Sequence, residues 1–485
     1  MYKKLLSASV VYTVLAFLQP LMSLLLQPLY LNWFSNDDYA LFSLMNGYSS
    51  FITLISALGI GGGVFTFYYD YSHNKEELNR YIGQVLSFCF WSGGIFALLI
   101  FPFGNYLFSF LFSNEQSILF YPYGAIATFG GMAAAFVTPF VIFLRNENKL
   151  LLYTLLILLT ALGSTVGQLV FVILFHGGLM GALWGKALGS VLGFGLVIWL
   201  NRKQLNWHLD WKYLRNTLHF MRFSTPASMI GWMYVYLDRF LVERFLSLLL
   251  VSMYSLLHVF TSTIEMASLA VRNAIIPFVF ARLKQSEADG IPADNLVVYR
   301  FYYLFTILFA SVVVAVVCNI HWLTSNTNYY GISYYVFLYA SGYIIGSLID
   351  IGNLNIYYEK KSLKLLLYGI LSVGLSVAFN YFLIPIFQLW GVVMSSFLAR
   401  FITFFAYFIP HRYILPTLFT IREYIMFAVV FAIFGIAHVL VTFEYLTINH
   451  VGLLQFPFIV TTLLLLNRSI AVQAYRKTLN YINSR

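Results

Sequence analysis

The sequence predicts an all-α membrane protein of about fourteen transmembrane helices, on three observations. Charged residues are 9% of the 485-residue chain, against roughly 25% in soluble domains. Hydrophobic residues reach 60% and aromatics 19%, more than a soluble fold hides from water but suited to a bilayer, where a spanning helix needs about 20 apolar residues. Basic residues fall into alternate gaps between the apolar stretches, as the positive-inside rule requires.

Apolar windows bounded by polar residues place the first six spans at 7–31, 39–66, 82–104, 117–144, 150–175 and 178–200. Six more follow at 221–243, 246–279, 298–318, 329–353, 363–384 and 387–409, and two close the chain at 423–443 and 449–466. The windows are continuously apolar over about 18 residues or more, which suits helices rather than the ten-residue alternating strands of a membrane barrel. Met1–Lys4 and the run after it look like a secretory leader, but no small-residue cleavage site follows, so this reads as an uncleaved first span. Cys89 and Cys318 both fall in apolar runs and imply neither a disulfide nor a metal site.

With the amino terminus inside, all of the 28 Lys and Arg except Lys186, Arg239, Arg244, Arg272 and Arg400 fall in cytoplasmic gaps. The cytoplasmic set runs from Lys3, Lys4, Lys75, Arg80, Arg145 and Lys149 through the 201–222 gap to Arg282, Lys284 and Arg300. Lys360, Lys361, Lys364, Arg412, Arg422, Arg468, Arg476, Lys477 and Arg485 complete it. The outer gaps carry acids instead: Asp37, Asp38, Glu115 and Glu444. Both termini are therefore expected in the cytoplasm of a cell with this chain in its inner membrane. The net charge of +10 is explained by anionic headgroups, each Lys or Arg contributing about 1 kcal/mol near the surface, so no nucleic acid is needed. Trp207 and Trp211 mark the 201–222 gap as interfacial.

The two halves of the chain resemble each other. Pro20, Tyr30, Leu31, Asn32 and Phe34 match Pro226, Tyr236, Leu237, Asp238 and Phe240 at a constant offset of 206. The string KLLLY occurs at Lys149–Tyr153 and Lys364–Tyr368, Gly163 pairs with Gly374, and Gly181 with Gly391. A six-span repeat predicts two bundles related by an axis along the membrane normal, with substrate handled between them. The expected domains are a six-helix bundle at 1–200, a cytoplasmic linker at 201–220, a second six-helix bundle at 221–410, and two extra helices with a tail at 411–485.

Four passages resemble the multidrug/oligosaccharidyl-lipid/polysaccharide exporter superfamily, and within it the O-antigen-type polysaccharide flippases. They are "ALGIGGGVFTFYYDY" at the end of the second span, "FSTPASMIGWMYVYLDRFLVERFLS" in the seventh, Tyr254 in the eighth, and "NYFLIPIFQLWGVVMSSFLAR" across the eleventh and twelfth. The Gly-Val-Val-Met after Pro385 departs from the family's usual small residues. The resemblance implies export of an undecaprenyl-pyrophosphate-linked oligosaccharide from the inner to the outer leaflet. It implies a lipid-linked oligosaccharide and the bilayer as partners, with a polysaccharide polymerase or chain-length regulator beside them.

The residues that could carry this chemistry are the intramembrane charges. Lys186, Arg272 and Arg400 lie deep in the sixth, eighth and twelfth spans, where a cation costs about 2.5–3.5 kcal/mol without a partner or water. One reading is a cationic cavity for an anionic headgroup, since Arg presents several donors to phosphate oxygens. The other is a buried pair, Arg272 with Glu265. Ser255, His258, Ser262, Glu265, Ser268 and Arg272 recur at helical spacing, so a polar stripe along the eighth span faces either a cavity or a static network. Asp238 and Arg239, near Glu243 and Arg244, form an outer-end charge cluster whose simplest role is interfacial salt bridging. Gly177, Gly181, Gly185, Gly189 and Gly193 line one face of the sixth span and suit close helix packing. Asn380 suits an interhelical hydrogen bond, and Asp350 a position near headgroup depth.

No cofactor is called for. The chain has no phosphate-binding Gly-x-x-x-x-Gly-Lys-Ser/Thr loop, no His-Glu-x-x-His and no Cys-x-x-Cys. A drug or cation antiporter of the same fold is the alternative transporter; it would carry deep acids in the first bundle, which has essentially none. A membrane polysaccharide polymerase is the rival enzyme, and the short outer gaps leave little room for its catalytic loop.

Overall fold

A computed structural model of the chain describes residues 15, 18–113, 118–205, 208–289, 296–358, 362–409, 421–442 and 447–466. Lys3, Lys4, Glu115, Trp207, Lys360, Lys361, Arg412, Glu444, Arg468, Arg476, Lys477 and Arg485 lie outside them. The described residues form helices joined by turns, with no strand among them. Among the described residues, eleven helices are long and apolar enough to cross a membrane. They answer to every sequence window but three. The first window is only partly described, and the last reaches only Ile448–Leu463 as a short apolar helix. The seventh is a helix too polar in composition to qualify.

The chain divides into two compact units, Met1–Ser255 and Leu256–Arg485. Unit 1 starts with α1 (Gln27–Trp33), α2 (Asn36–Ala57), α3 (Ile60–Tyr71) and α4 (Lys75–Leu111). It continues with α5 (Ala125–Asn146), α6 (Leu150–Leu169), α7 (Gly178–Asn201) and α8 (Trp211–Phe245). Ser35 caps α2 by accepting from the Asp38 amide, and Asn74 caps α4 by accepting from Glu76, as oxygen-bearing side chains do for orphan donors at helix starts.

The second span breaks between α2 and α3. Leu58 and Gly59 both take left-handed conformations, φ 46° and 66°. The former is uncommon for a branched side chain. A break at membrane depth frees backbone groups that water cannot satisfy. Here the Thr225 hydroxyl of α8 donates to the Leu58 carbonyl at 2.5 Å; away from the break, Trp232 Nε1 of α8 donates to the Gly47 carbonyl within α2 at 3.0 Å. The glycine-rich passage of the sequence is therefore a crossing point. A Cβ on Gly61 would lie 2.6 Å from Ile142 of α5, and one on Gly63 2.5 Å from Thr217 of α8.

The gap after α7 is more ordered than the expected linker. Helix α8 begins ten residues before its window, with Asp210 capping it at Lys212. Gln84 of α4 holds the preceding turn by accepting from the Asp210 amide at 2.8 Å and donating to the His208 carbonyl at 3.1 Å. Tyr81 and Thr217 share a buried hydrogen bond of 3.0 Å. Trp211 stays 64% exposed, as suits an interfacial anchor.

Unit 2 contains most of α9 (Leu248–Asp289), then α10 (Leu296–Cys318), α11 (Val336–Tyr358), α12 (Ser362–Phe387), α13 (Leu389–Phe408), α14 (Ile421–Thr442) and α15 (Ile448–Leu466). With 42 residues, α9 is about 63 Å long at 1.5 Å per residue, twice the ~30 Å hydrocarbon thickness. Arg300, counted with the cytoplasmic set, lies near the start of α10, where its Nε donates to Glu423 of α14 at 2.6 Å. That pair ties the first of the two extra helices to unit 2.

Packing within the units echoes the repeat. In unit 1, α7 packs on α6 and α5; in unit 2, α13 packs on α12 and α11. A Cβ on Gly181 would meet the Phe171 carbonyl at 2.7 Å, and one on its repeat partner Gly391 would overlap the Leu383 carbonyl. Along α7 the glycine face does what its spacing implies: Cβ atoms at Gly185 and Gly189 would overlap Gln168 N and Ser164 Oγ on the α6 side. The other repeat pair has diverged. Gly163 faces Gly189, whereas nothing lies within 4 Å of a Cβ on Gly374.

Candidate functional site

The sequence-selected charges fall into two groups, one in each unit. In unit 1, α7 presents Lys186 from a face roughly 100° round from the glycines that anchor it. Its ammonium donates to the Asn46 amide oxygen on α2. Lys186 and Asn46 line a cavity of about 180 Å³ between α2, α5, α7 and α8. The rest of the wall mixes uncharged polar side chains, Gln19, Ser49, Ser50, Thr53 and Ser190, with apolar ones. No carboxylate lines it among the described residues. Tyr236 completes it, and the Arg239 guanidinium lies over that ring, 5.2 Å from its centroid. Arg239 is 6% exposed and within Coulombic reach of Lys186.

In the expected outer-end cluster, Asp238, Arg239 and Glu243 face three different partners. Arg239 forms no ion pair among the described residues; besides the ring it bonds only the Val235 carbonyl one turn back, at 3.4 Å. Asp238 accepts from the Tyr254 hydroxyl at 3.0 Å. Glu243, fully buried, accepts from the Ser113 amide at 3.0 Å and from its hydroxyl at 3.1 Å, so it fastens the end of α8 to the end of α4. The reason is directional: neighbouring residues on a helix point about 100° apart, so each of these charges meets a different neighbour.

In unit 2 the sequence-selected residues do come together. Arg272 of α9 pairs with Asp350 of α11 at 3.2 Å. This is the buried pair that one reading of the sequence expected, with Asp350 rather than Glu265 as the acid. Glu265 lies two turns earlier on α9, within Coulombic reach of Asp350, Arg400 and Arg272, but it forms no ion pair or hydrogen bond among the described residues. Arg400 of α13 is 7% exposed. Its guanidinium stacks over Tyr343 at 4.3 Å and lies against α11 at Gly342 and Gly346. His258 Nδ1 is 3.0 Å from the Tyr339 hydroxyl and 3.3 Å from that of Tyr343. The result is a polar seam between α9, α11 and α13, containing two arginines, two carboxylates and a histidine.

The stripe on α9 is therefore not one open wall. Ser255, His258 and Ser268 are buried, and Ser268 shares a 3.0 Å hydrogen bond with Thr306 of α10. Ser262, Glu265 and Arg272 are half-buried. Asn380 is fully buried, and its amide donates to Ser376 on its own helix at 3.4 Å. Sequence reasoning missed Tyr339 and Tyr343, although their four-residue spacing in an apolar window is a usable signal. It also missed Asn46, Ser49, Ser50 and Ser190, which single-sequence patterns do not distinguish from ordinary helix hydroxyls and amides.

Solved structures share this architecture. A lipid II flippase, MurJ in an inward closed conformation, superposes with a TM-score of 0.70 at 13% identity, over 97% of this chain and 100% of that one. An inward-facing multidrug resistance MATE transporter of the MOP superfamily gives 0.55 at 15% identity, over 81% and 98%. A point mutant of the Vibrio cholerae MATE transporter VcmN gives 0.50 at 15% identity, over 86% and 97%. No protein-family model and no curated protein sequence matches the chain. The chain has the fold of the multidrug/oligosaccharidyl-lipid/polysaccharide exporters.

Proposed function

We propose that this chain is a flippase that moves a polyprenyl-pyrophosphate-linked oligosaccharide, an O-antigen or other surface-polysaccharide repeat unit, across the inner membrane. The observation that carries this reading is the unit 1 cavity, where Lys186 meets a neutral amide, Arg239 is close by, and no carboxylate among the described residues lines the wall. Two cations near one cavity without a carboxylate repel each other, which an anionic cargo relieves. A cationic drug would worsen that repulsion, so a drug or cation antiporter fits less well. Lys186, Arg272 and Arg400 are the anion contacts in this reading. Glu265 balances Arg272 and Arg400 when no cargo is bound, and His258 holds the tyrosine that Arg400 stacks on. The bundles at 1–200 and 221–410 carry the substrate steps, a polymerase or chain-length regulator receives the product, and both termini face the cytoplasm.

The test is surface-polysaccharide export in cells whose own flippase has been removed. Lys186→Gln and Arg400→Gln should each reduce export with the protein still inserted. Arg400→Lys should restore only part of it, because an ammonium lacks the guanidinium fork and stacks less well on Tyr343. Full export by the double Gln variant would exclude both residues from the site. Thiol labelling of single cysteines placed in 201–216 and 281–297 tests the orientation, and extracellular labelling of 201–216 would reverse it.

A further inference from the structure

Charge alone does not describe the unit 1 cavity. At about 180 Å³ it is smaller than the roughly 300–1,000 Å³ that holds a drug-sized ligand, so it admits a single ring or group. The Ser49, Ser50 and Ser190 hydroxyls and the Gln19 amide line it and form no hydrogen bond among the described residues. Thr53 differs, since its hydroxyl already donates to the Ser49 and Gly131 carbonyls at 2.9 and 3.0 Å. Hydroxyls on membrane helices commonly bond the carbonyl one turn back, as Thr53 does. Three that do not, facing one cavity beside an amide, form an array of unspent donors and acceptors.

The cationic element of the wall is also specific. Lys186 is the one formal charge among the described residues lining the cavity, and an ammonium is a compact point charge without the planar fork that suits phosphate. Arg239 lies behind the Tyr236 ring rather than in the wall. A group with one negative charge, surrounded by hydroxyls and carrying a C–H face for the Tyr236 ring, matches this lining. Pyrophosphate carries more charge and brings no such face.

We infer that the Lys186–Asn46 cavity of unit 1 binds the carboxylate-bearing ring of an acidic sugar, a hexuronate within the transported oligosaccharide. This rests on the flippase reading and narrows it: the cargo is acidic in its glycan as well as in its carrier, and Lys186 reads the sugar carboxylate rather than the pyrophosphate. The ammonium pairs with the carboxylate, Asn46 orients the ammonium, and the Ser49, Ser50 and Ser190 hydroxyls take the ring hydroxyls.

Binding of sodium glucuronate, methyl glucoside and inorganic pyrophosphate to the full-length protein in lipid nanodiscs tests this, read by calorimetry. The wild type should bind glucuronate about tenfold more tightly than methyl glucoside, the usual return from a charge-assisted hydrogen bond. Lys186→Gln should abolish that preference and leave pyrophosphate affinity unchanged. Ser190→Phe, which fills the cavity without touching the charge, should weaken both sugars, so the result does not depend on one variant folding. Equal affinity for the two sugars in the wild type would overturn the proposal, as would a Lys186→Gln variant that loses pyrophosphate and glucuronate together. Either result, with pyrophosphate still bound by the wild type, leaves the flippase reading standing. Loss of pyrophosphate binding by the wild type, with glucuronate retained, would instead remove the flippase reading and keep the sugar site.

Discussion

Unit 1 surrounds Lys186 with an amide, hydroxyls and a phenol ring, whereas unit 2 sets Arg272 against Asp350 and brings Glu265 near both Arg272 and Arg400. Both arrangements place cations in apolar helices, at similar insertion cost. They resolve that cost differently. Unit 2 resolves it in part internally: Arg272 already has Asp350, and Glu265 stands within Coulombic reach of both arginines, so an anionic cargo there competes with acids of the seam. Unit 1 leaves its cation to be matched from outside, which is what a binding site requires. Tracing how each charge is satisfied therefore separates a cation already matched by an acid from one that is not, where depth in the membrane alone does not.

The largest expected effect breaks the unit 2 seam. Arg272→Gln or Asp350→Asn alone should lower stability by about 3 kcal/mol, because each leaves one partially buried charge without its partner. The double variant should recover most of that loss, and thermal melts of the four proteins in nanodiscs give the coupling. Equal, additive losses would mean that the pair contributes little and that unit 2 is held by apolar packing.

Helix contact comes next, and it also differs between the units. Gly189→Leu should cost about 1–3 kcal/mol by overpacking, since even a Cβ there would overlap Ser164 Oγ and the Thr160 carbonyl. Gly374→Ala in unit 2 meets nothing within 4 Å and should be neutral or gain about 0.5–1 kcal/mol from helix propensity. Comparable losses at both sites would show that α12 packs as tightly as α7.

Lys186→Gln should reduce export about tenfold, equivalent to ~1.4 kcal/mol, while the melting temperature stays level or rises, because no acid depends on that ammonium. A fall in melting temperature matching that of Arg272→Gln would make Lys186 as structural as the unit 2 pair. The smallest effect is at the break in the second span. Thr225→Val removes the hydroxyl that satisfies the Leu58 carbonyl and should cost about 1 kcal/mol, with faster amide exchange near Gly59 than at the intact centre of α11.

The helices were legible because their cause is local. Composition and run length specify a membrane span wherever it sits, so thirteen of the expected windows coincide with described helices and α8 alone among those windows is too polar to register as apolar. The glycine face of α7 was legible for the same reason: four-residue spacing on a helix can only mean one surface. The candidate charges were legible as a set, since an intramembrane Lys or Arg is rare enough to notice one at a time.

By itself, then, the sequence determined that the chain enters the membrane repeatedly as helices, which surface of α7 admits another backbone, and which charges require an explanation. It did not determine the partners. That Arg272 meets Asp350 rather than Glu265, that Arg400 lies over Tyr343, and that Lys186 faces an amide and three unbonded hydroxyls were decided by tertiary structure. The physical reason is range. A helix and its faces follow from residues a few positions apart, whereas Lys186 and Asn46 are 140 positions apart, and only the packing of α2 against α7 brings them to one cavity.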